Sequence, residues 1–326
     1  MIDNVLYIIG NGFDLHHDVA SSYRCFRNWL EHNNPELFMV YSTVCKYDAL
    51  WSDFENGLAY VDRDYFINLA ELFLPDNNKD PDDWQMADIL MAGDWAHDTA
   101  SKLISDLKYA FYRWIKSLKA PKSYNSKKLH IDHNARFLTF NYTDFVESQY
   151  GIDPSHIKYI HGNRRFGKDS IVVGHGGDGE AFDRWWNSKH YDKPRYNKKG
   201  KRYFKRDCAW KTYHSQLPEY EGIAEGVQEY YEEARKPTEK ILRNNDAYFM
   251  NLHAIEIIYV LGFSFNRIDI PYIQRIIEYN DAPKQINWNI SYFSDTDKVR
   301  AESALHGLGI NIKDNVKFHP LSYWQI

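Results

Sequence analysis

An α/β fold built on a Rossmann-like parallel sheet is predicted by three observations. Short apolar runs end abruptly in Gly, Asn, His or Ser, the stretches between them repeat their apolar residues at helical spacing, and a Gly-Asn-Gly turn stands directly after the first run. Near-continuous apolar runs separated by helices fit strands that are buried on both faces by helical layers.

The first element is Val5 to Ile9, a short apolar strand. Gly10-Asn11-Gly12 follows it. Two glycines there let the main chain turn sharply and bring bare N–H groups against an anion at the opening of a helix. The same pattern also serves as a plain strand-to-helix turn. Asp14 repels a phosphate unless it caps the helix or faces a ribose, and a helix cap is the simpler role. Next, Tyr23, Phe26, Trp29 and Leu30 share one helical face. Ser52 and Glu55 have the form of a capping box. Leu103, Ile104, Leu107, Phe111, Trp114, Ile115 and Leu118 recur every third or fourth position, which predicts a helix over 99–118. Pro81-Asp82-Asp83 and Pro121-Lys122-Ser123 punctuate this zone.

Further strands are expected at Arg136 to Phe140, Ile157 to Ile160, Ile171 to Val173, Ile255 to Leu261 and Ile286 to Phe293, with a helix running on to Leu308. A single domain results. Its core comes from 1–20, 135–178 and 255–326, and helical insertions at 21–134 and 179–254 form a cap.

Parallel strands gather the loops that follow them at one edge, where ligands bind. Asn141, in Thr139-Phe140-Asn141-Tyr142-Thr143-Asp144, either caps the next helix or holds a ribose hydroxyl or a water. His161 ends a strand and precedes Gly162, at the mouth of the sheet. With an ordinary pKa of about 6.5, such a side chain takes or hands over a proton at neutral pH, although a lone His is more often structural. Gly174-His175-Gly176-Gly177-Asp178-Gly179 also fits G-x-G-x-x-G, but its many glycines read better as a mobile wall. In Gly262-Phe263-Ser264, Ser264 is placed to donate to a phosphate. Ser294 or Asp295 either binds an adenosine ribose or caps the last helix, with capping the simpler role for Asp295.

Composition narrows the function classes. A chain of 326 residues, 44% hydrophobic, hides about three quarters of its unfolded surface and is globular. The net charge of −5 gives no global attraction to nucleic acid or to an anionic membrane. Cys25, Cys45 and Cys208 form no Cys-x-x-Cys pair, which excludes a zinc ribbon and predicts no metal. Scattered thiols fit a reducing compartment, and no stretch approaches the ~20 apolar residues of a membrane span, so a cytoplasmic protein is expected. Lys189 to Arg206 interleaves Lys189, Lys193, Arg195, Lys198, Lys199, Lys201, Arg202, Lys205 and Arg206 with Tyr191, Tyr196, Tyr203 and Phe204, the composition of a single-strand binding surface. Acidic residues from Glu219 to Glu233 offset it, which favours an exposed hairpin or lid with internal charge pairing over a nucleic-acid patch.

Taken in order, the Gly10 loop with Phe13-Asp14-Leu15, Trp51 to Glu55, Leu138 to Asp144, Tyr159 to Gly162 and Val173 to Gly176 resemble the AbiH family of phage abortive-infection proteins. That family in turn resembles the sirtuin-like superfamily of NAD-binding proteins. By this resemblance Gly10 and Gly12 correspond to the sirtuin Gly-Ala-Gly loop, Asn141 to the asparagine of its Thr-Gln-Asn-Ile-Asp motif, His161 to its catalytic histidine and Gly262 to Ser264 to its late Gly-Thr-Ser. The resemblance implies a sirtuin-like core, NAD as ligand or substrate, cleavage of the nicotinamide–ribose bond, and Asn141 and His161 as catalytic residues. Together with the loop readings above, it gives expected binding roles to Gly10, Asn11, Gly12, Asp14, Thr143, Gly174, His175, Gly262, Ser264 and Ser294. A second copy of the chain or a phage-derived trigger is the macromolecular partner that fits such an effector. Departures are plain: Asp14 replaces a serine, Phe140 a glutamine and Thr143 an aspartate, and the zinc-binding cysteines are missing. A nucleotide hydrolase or sensor therefore suits the chain better than a protein deacylase.

Overall fold

The computed structural model describes residues 4–45, 50–60, 65, 86–177, 195–196, 202–203 and 229–326. The chain divides into two compact units, one made of Met1–Asn33, Lys108–Val173 and Lys236–Ile326, the other of Asn34–Leu107 and Gly174–Arg235.

The first unit holds a sheet of six parallel strands: β1 (Val5–Ile9), β2 (Arg136–Thr139), β3 (Ile157–Tyr159), β6 (Ile257–Leu261), β7 (Asn287–Tyr292) and β8 (Val316–Pro320). A short antiparallel pair, β4 (Arg195–Tyr196) with β5 (Arg202–Tyr203), lies between them in the chain. The order across the large sheet is β3-β2-β1-β6-β7-β8. Counted in sequence, this is the doubly wound arrangement in which the chain starts at the centre, builds outward to one edge and then returns to build the other. The reversal falls between β1 and β6.

Alternate residues of the strands face two different layers, as a period of two requires. Leu6 and Ile8, Leu138, Ile258 and Val260, and Trp288 and Ile290 pack with Tyr272, Ile273 and Ile276 and with Ala301 and Leu305, all buried. On β1's alternate positions, Tyr7 stacks between Phe137 at 5.0 Å and Tyr259 at 4.9 Å. The Tyr7 hydroxyl accepts from the Asp132 N–H at 3.2 Å, which gives its polar end a partner. Both faces of the central strands are thus apolar, which is why these strands read as unbroken hydrophobic runs.

Helix α1 (Asn11–His16) follows β1, α2 is Tyr23–Asn33, α3 Pro35–Val44, α4 Phe54–Gly57, α5 Met86–Ser117 and α6 Phe145–Tyr150. The last stretch adds α7 (Thr238–Asn244), α8 (Asp246–Met250), α9 (Ile270–Tyr279), α10 (Asp295–Gly307) and α11 (Ile312–Asn315). The helix expected over 99–118 is the latter part of α5. No helix among the described residues is long and apolar enough to cross a membrane.

Several local expectations are corrected. Ile171 to Val173 forms no strand of the sheet: the chain turns at Gly162, at φ +85°, and the Val172 N–H donates to the His161 carbonyl at 2.9 Å. The N-cap of α4 is Asp53 and not Ser52, and the Asp53 carboxylate accepts from the Asn56 amide at 3.0 and 2.9 Å instead of capping the helix. Ser294, not Asp295, caps α10, in a capping box closed by Asp297. β4 and β5 fall within the segment expected to form an exposed hairpin or lid; the rest of the basic strip from Lys189 to Arg206, with Glu219 to Glu225, lies outside the described residues, as does Pro81-Asp82-Asp83.

Candidate functional site

The carboxyl ends of β1 and β6 meet at the point where strand order reverses, and three glycines close them on each other. The Gly10 N–H donates to the Leu261 carbonyl at 3.0 Å and the Gly12 N–H to the Gly262 carbonyl at 2.8 Å, so the ladder continues past the strands. The Phe13 N–H is bonded to the Gly10 carbonyl at 2.9 Å. A Cβ on Gly10 would lie 2.6 Å from the Gly262 oxygen, and one on Gly12 2.7 Å from the Gly262 Cα. Gly262, at φ +67°, would place a Cβ 2.0 Å from the Phe13 nitrogen. These glycines serve backbone-to-backbone packing. The phosphate-cradle reading of Gly10 and Gly12 is corrected accordingly, because their own N–H groups, and that of Phe13, are already spent within the fold.

Asp14 is corrected as well. The N-cap of α1 is Gly10, and Asp14, four residues on, turns inward and is 1% exposed. Its Oδ2 accepts from the Thr143 hydroxyl at 2.5 Å, while Oδ1 is buried without a partner. Burial pushes its pKa up to about 7, against the opposing pull of the Thr143 hydroxyl, the Asn141 amide and the Arg164 charge. Asn141 sits beside this carboxyl, buried, yet neither its Oδ1 nor its Nδ2 makes a bond of good geometry. It does not cap a helix: the N-cap of α6 is Asp144. The Asp144 carboxylate is taken by Arg164, whose Nε lies 2.7 Å away and whose Nη1 donates to the Leu118 carbonyl at 2.6 Å.

A chain of hydrogen bonds holds the floor of this group. His17 Nδ1 lies 2.7 Å from the Phe13 carbonyl, which accepts only from a protonated nitrogen, so Nε2 is left to accept from the Tyr150 hydroxyl at 2.7 Å. That hydroxyl oxygen accepts in turn from the Leu129 N–H at 2.9 Å. The His17 ring, its pKa lowered by burial to about 4, stacks at 4.2 Å on Tyr124, whose buried hydroxyl has no partner.

His161 belongs to a second polar group. The ring is 2% exposed, not open at the sheet's mouth as expected. Its Nε2 lies 3.3 Å from the Tyr272 hydroxyl and 3.6 Å from the Asp269 carboxylate. Burial, reinforced by the Lys236 charge, lowers its pKa well below the usual histidine range, so the imidazole is neutral at pH 7. Asp269 therefore finds its ionic partner in Lys236, whose Nζ is 3.4 Å away, and not in the imidazole. Phe140 and Tyr142 flank the His161 ring, at 5.2 and 6.4 Å between centroids, whereas Asn141 and Thr143 act on Asp14. One segment thus serves two groups with alternate side chains. Asn141 is brought together with Asp14 and Thr143, and His161 with Tyr272, Asp269 and Lys236.

The remaining expected residues stand elsewhere. Asn11 is exposed and its amide donates to the Ser21 carbonyl at 3.0 Å. Ser264 is exposed, and Ser294 is engaged as the cap of α10. Gly174 and His175 belong to the second unit. His175 is fully buried: its N–H donates to the Ala234 carbonyl and its Nε2 to that of Tyr231, both at 2.9 Å. Among the described residues no group of three or more His, Cys, Asp or Glu is arranged to hold a metal ion.

Asp269, Lys236, Tyr272 and Tyr124 escaped the sequence reading. Asp269 precedes Ile270-Pro271, the form of a helix start, and does stand at the N-cap of α9, but it makes no side-chain capping bond and its carboxylate faces Lys236. The one available signal was an aspartate seven positions after the Gly262 turn, in a loop that a parallel sheet carries to its carboxyl edge.

No curated protein matches the sequence. A profile of the family described as Bacteriophage abortive infection AbiH matches residues 6–292, a span that takes in every group described above from Asp14 to Asp269. The chain belongs to the AbiH family of bacteriophage abortive-infection proteins.

Proposed function

We propose that this abortive-infection protein binds NAD or a related nucleotide at the carboxyl edge of its parallel sheet and hydrolyses the nicotinamide–ribose bond. The observation that carries the reading is Asn141, a buried amide with both polar atoms unpartnered beside the half-satisfied carboxyl of Asp14. Buried polar atoms in native proteins are nearly always paired, and an exception calls for a partner such as a ligand, an ion or an ordered water, or for a catalytic role. The doubly wound strand order supports the same reading, as does the sequence resemblance of Asn141 and His161 to sirtuin residues.

In this chemistry nicotinamide departs with the electron pair of the glycosidic bond and leaves positive charge on the ribose. Water adds to the anomeric carbon and releases a proton. Asn141 orients the sugar or the water. His161, neutral at pH 7 and steadied by Tyr272, accepts the proton directly or through a ribose hydroxyl. The test is chromatography of purified protein incubated with NAD. His161→Ala and the bulkier His161→Gln are expected to lower nicotinamide release by at least about a hundredfold while the fold persists. Wild-type protein that releases no nicotinamide, alone or in phage-exposed cells, overturns the reading.

The burial of His161 favours one second reading, in which the site binds the nucleotide without breaking a bond. NAD would then raise the melting temperature with no turnover.

A further inference from the structure

We propose that Asp269 and Lys236 are positioning residues for His161: the carboxylate holds the single proton of the ring on Nε2, the ammonium keeps a second proton away, and Nδ1 is left as the basic nitrogen. The catalytic meaning of this arrangement rests on the hydrolase reading above, whereas the arrangement itself is read without turnover.

The ring meets both polar neighbours through Nε2, the Tyr272 hydroxyl at 3.3 Å and Asp269 Oδ1 at 3.6 Å. Lys236 Nζ reaches the same carboxylate oxygen at 3.4 Å. Other rings hold the imidazole from its sides: Phe140, Tyr142 and Tyr272 lie at 5.2, 6.4 and 5.4 Å between centroids. The Lys236 side chain is 0% exposed and that of Asp269 11%. Lysine is almost never buried so completely unless it is paired. A buried ion pair adds little net stability, since an apolar pair of similar volume commonly does as well or better. Its place beside His161 points to a use other than packing.

The two charges act on the ring differently. A bare lone pair on Nε2 would face the Asp269 oxygen and be repelled, whereas an N–H there is attracted, so the carboxylate selects the tautomer protonated on Nε2. The Tyr272 oxygen then accepts from that N–H, and the lone pair lies on Nδ1. A carboxylate alone would go further. Next to an imidazole it favours the doubly protonated ring, which has no lone pair with which to accept a proton. The Lys236 ammonium offsets that charge and, with burial, keeps the ring neutral. Among the described residues, the charged and titratable groups that face the ring are Tyr142, Tyr272, Asp269 and, through Asp269, Lys236.

Two-bond proton–nitrogen correlation spectra of the full chain, labelled with 15N at its histidines, report the protonation of each ring nitrogen at pH 7. His161 is assigned by its absence from the His161→Gln spectrum. Wild type is expected to carry its proton on Nε2 alone. Lys236→Met is expected to protonate both nitrogens. In the double variant Lys236→Met with Asp269→Leu, which leaves no unpaired charge, the ring is expected to be neutral with Nδ1–H populated. A wild-type ring protonated on Nδ1, or a Lys236→Met ring that stays neutral, overturns the inference. Should Lys236→Met not fold, the double variant decides: a ring still protonated on Nε2 alone overturns it. Turnover adds a second readout. Lys236→Met should lower kcat for nicotinamide release at least about tenfold with KM within about twofold of wild type. The expected protonation pattern without nicotinamide release by wild type upholds the arrangement and removes the hydrolase. Nicotinamide release with a contrary pattern removes the positioning role alone.

Discussion

Replacing Asp14 by Asn exposes how strongly burial acts on this carboxyl. The folded protein raises its pKa from 3.8 to about 7, so it holds the proton more tightly than the unfolded chain does. Stability from that preference is complete below 3.8 and is lost as the pH rises through about 7. A gap of about 3 pKa units, at about 1.4 kcal/mol each, sets a ceiling of about 4 kcal/mol. Near-complete burial of the side chain makes solvent screening a minor discount. Asparagine keeps an oxygen for the Thr143 hydroxyl and never ionises. Asp14→Asn should therefore gain on wild type as the pH rises, by about 2–3 kcal/mol more at pH 8 than at pH 5. Urea unfolding of both proteins at the two pH values reads this difference, provided the slopes agree. His17 and His161, whose depressed pKa values act in the opposite direction, are present in both proteins and cancel. A difference indifferent to pH, or a variant that loses ground at pH 8, would refute desolvation as the dominant influence on Asp14.

Gly262→Ala should cost well over about 3 kcal/mol and prevent recovery of folded protein, since left-handed strain adds to the 2.0 Å overlap with the Phe13 nitrogen. Gly151→Ala, at a similar φ of +69° but with open space around it, should cost only about 1–2 kcal/mol in a thermal melt. Equal losses at the two positions would dissociate the Gly262 requirement from loop packing. Tyr150→Phe removes the hydroxyl that serves both His17 and the Leu129 N–H, and two buried groups left unpaired should lower stability by about 2–4 kcal/mol in urea unfolding.

Much of the sheet was legible because its central strands are buried on both sides. Val5–Ile9 coincides with its apolar run, and the runs expected from 136, 157, 255 and 286 differ from the observed strands by a residue or two at the ends. β8 was not placed. Val316, Phe318 and His319 are only half buried at the sheet's edge, and Lys317 and Pro320 are exposed, so no unbroken apolar run marks it. Ile171 to Val173 has the composition of a strand but lies beyond the Gly162 turn, and only tertiary pairing distinguishes an extended segment from a sheet member. Asp14 stood out in sequence as a charge in an awkward place, yet the residue type alone favours a cap. Its inward direction follows from where α1 begins, at Gly10, which local sequence does not determine.

The position of the two polar groups has a cause in the glycines. In a doubly wound sheet the loops on either side of the reversal usually diverge and leave a crevice for the ligand. Here Gly10, Gly12 and Gly262 carry no Cβ where those loops touch, and backbone hydrogen bonds draw them together. The inward face of α1 and the loop after β2 then carry the unpaired polar atoms instead, at Asp14 and Asn141. A glycine pair after the first strand is therefore compatible with opposite outcomes, an open cradle or a closed seam. The residue that decides between them is the partner glycine some 250 positions away in the chain, whose left-handed backbone permits the seam.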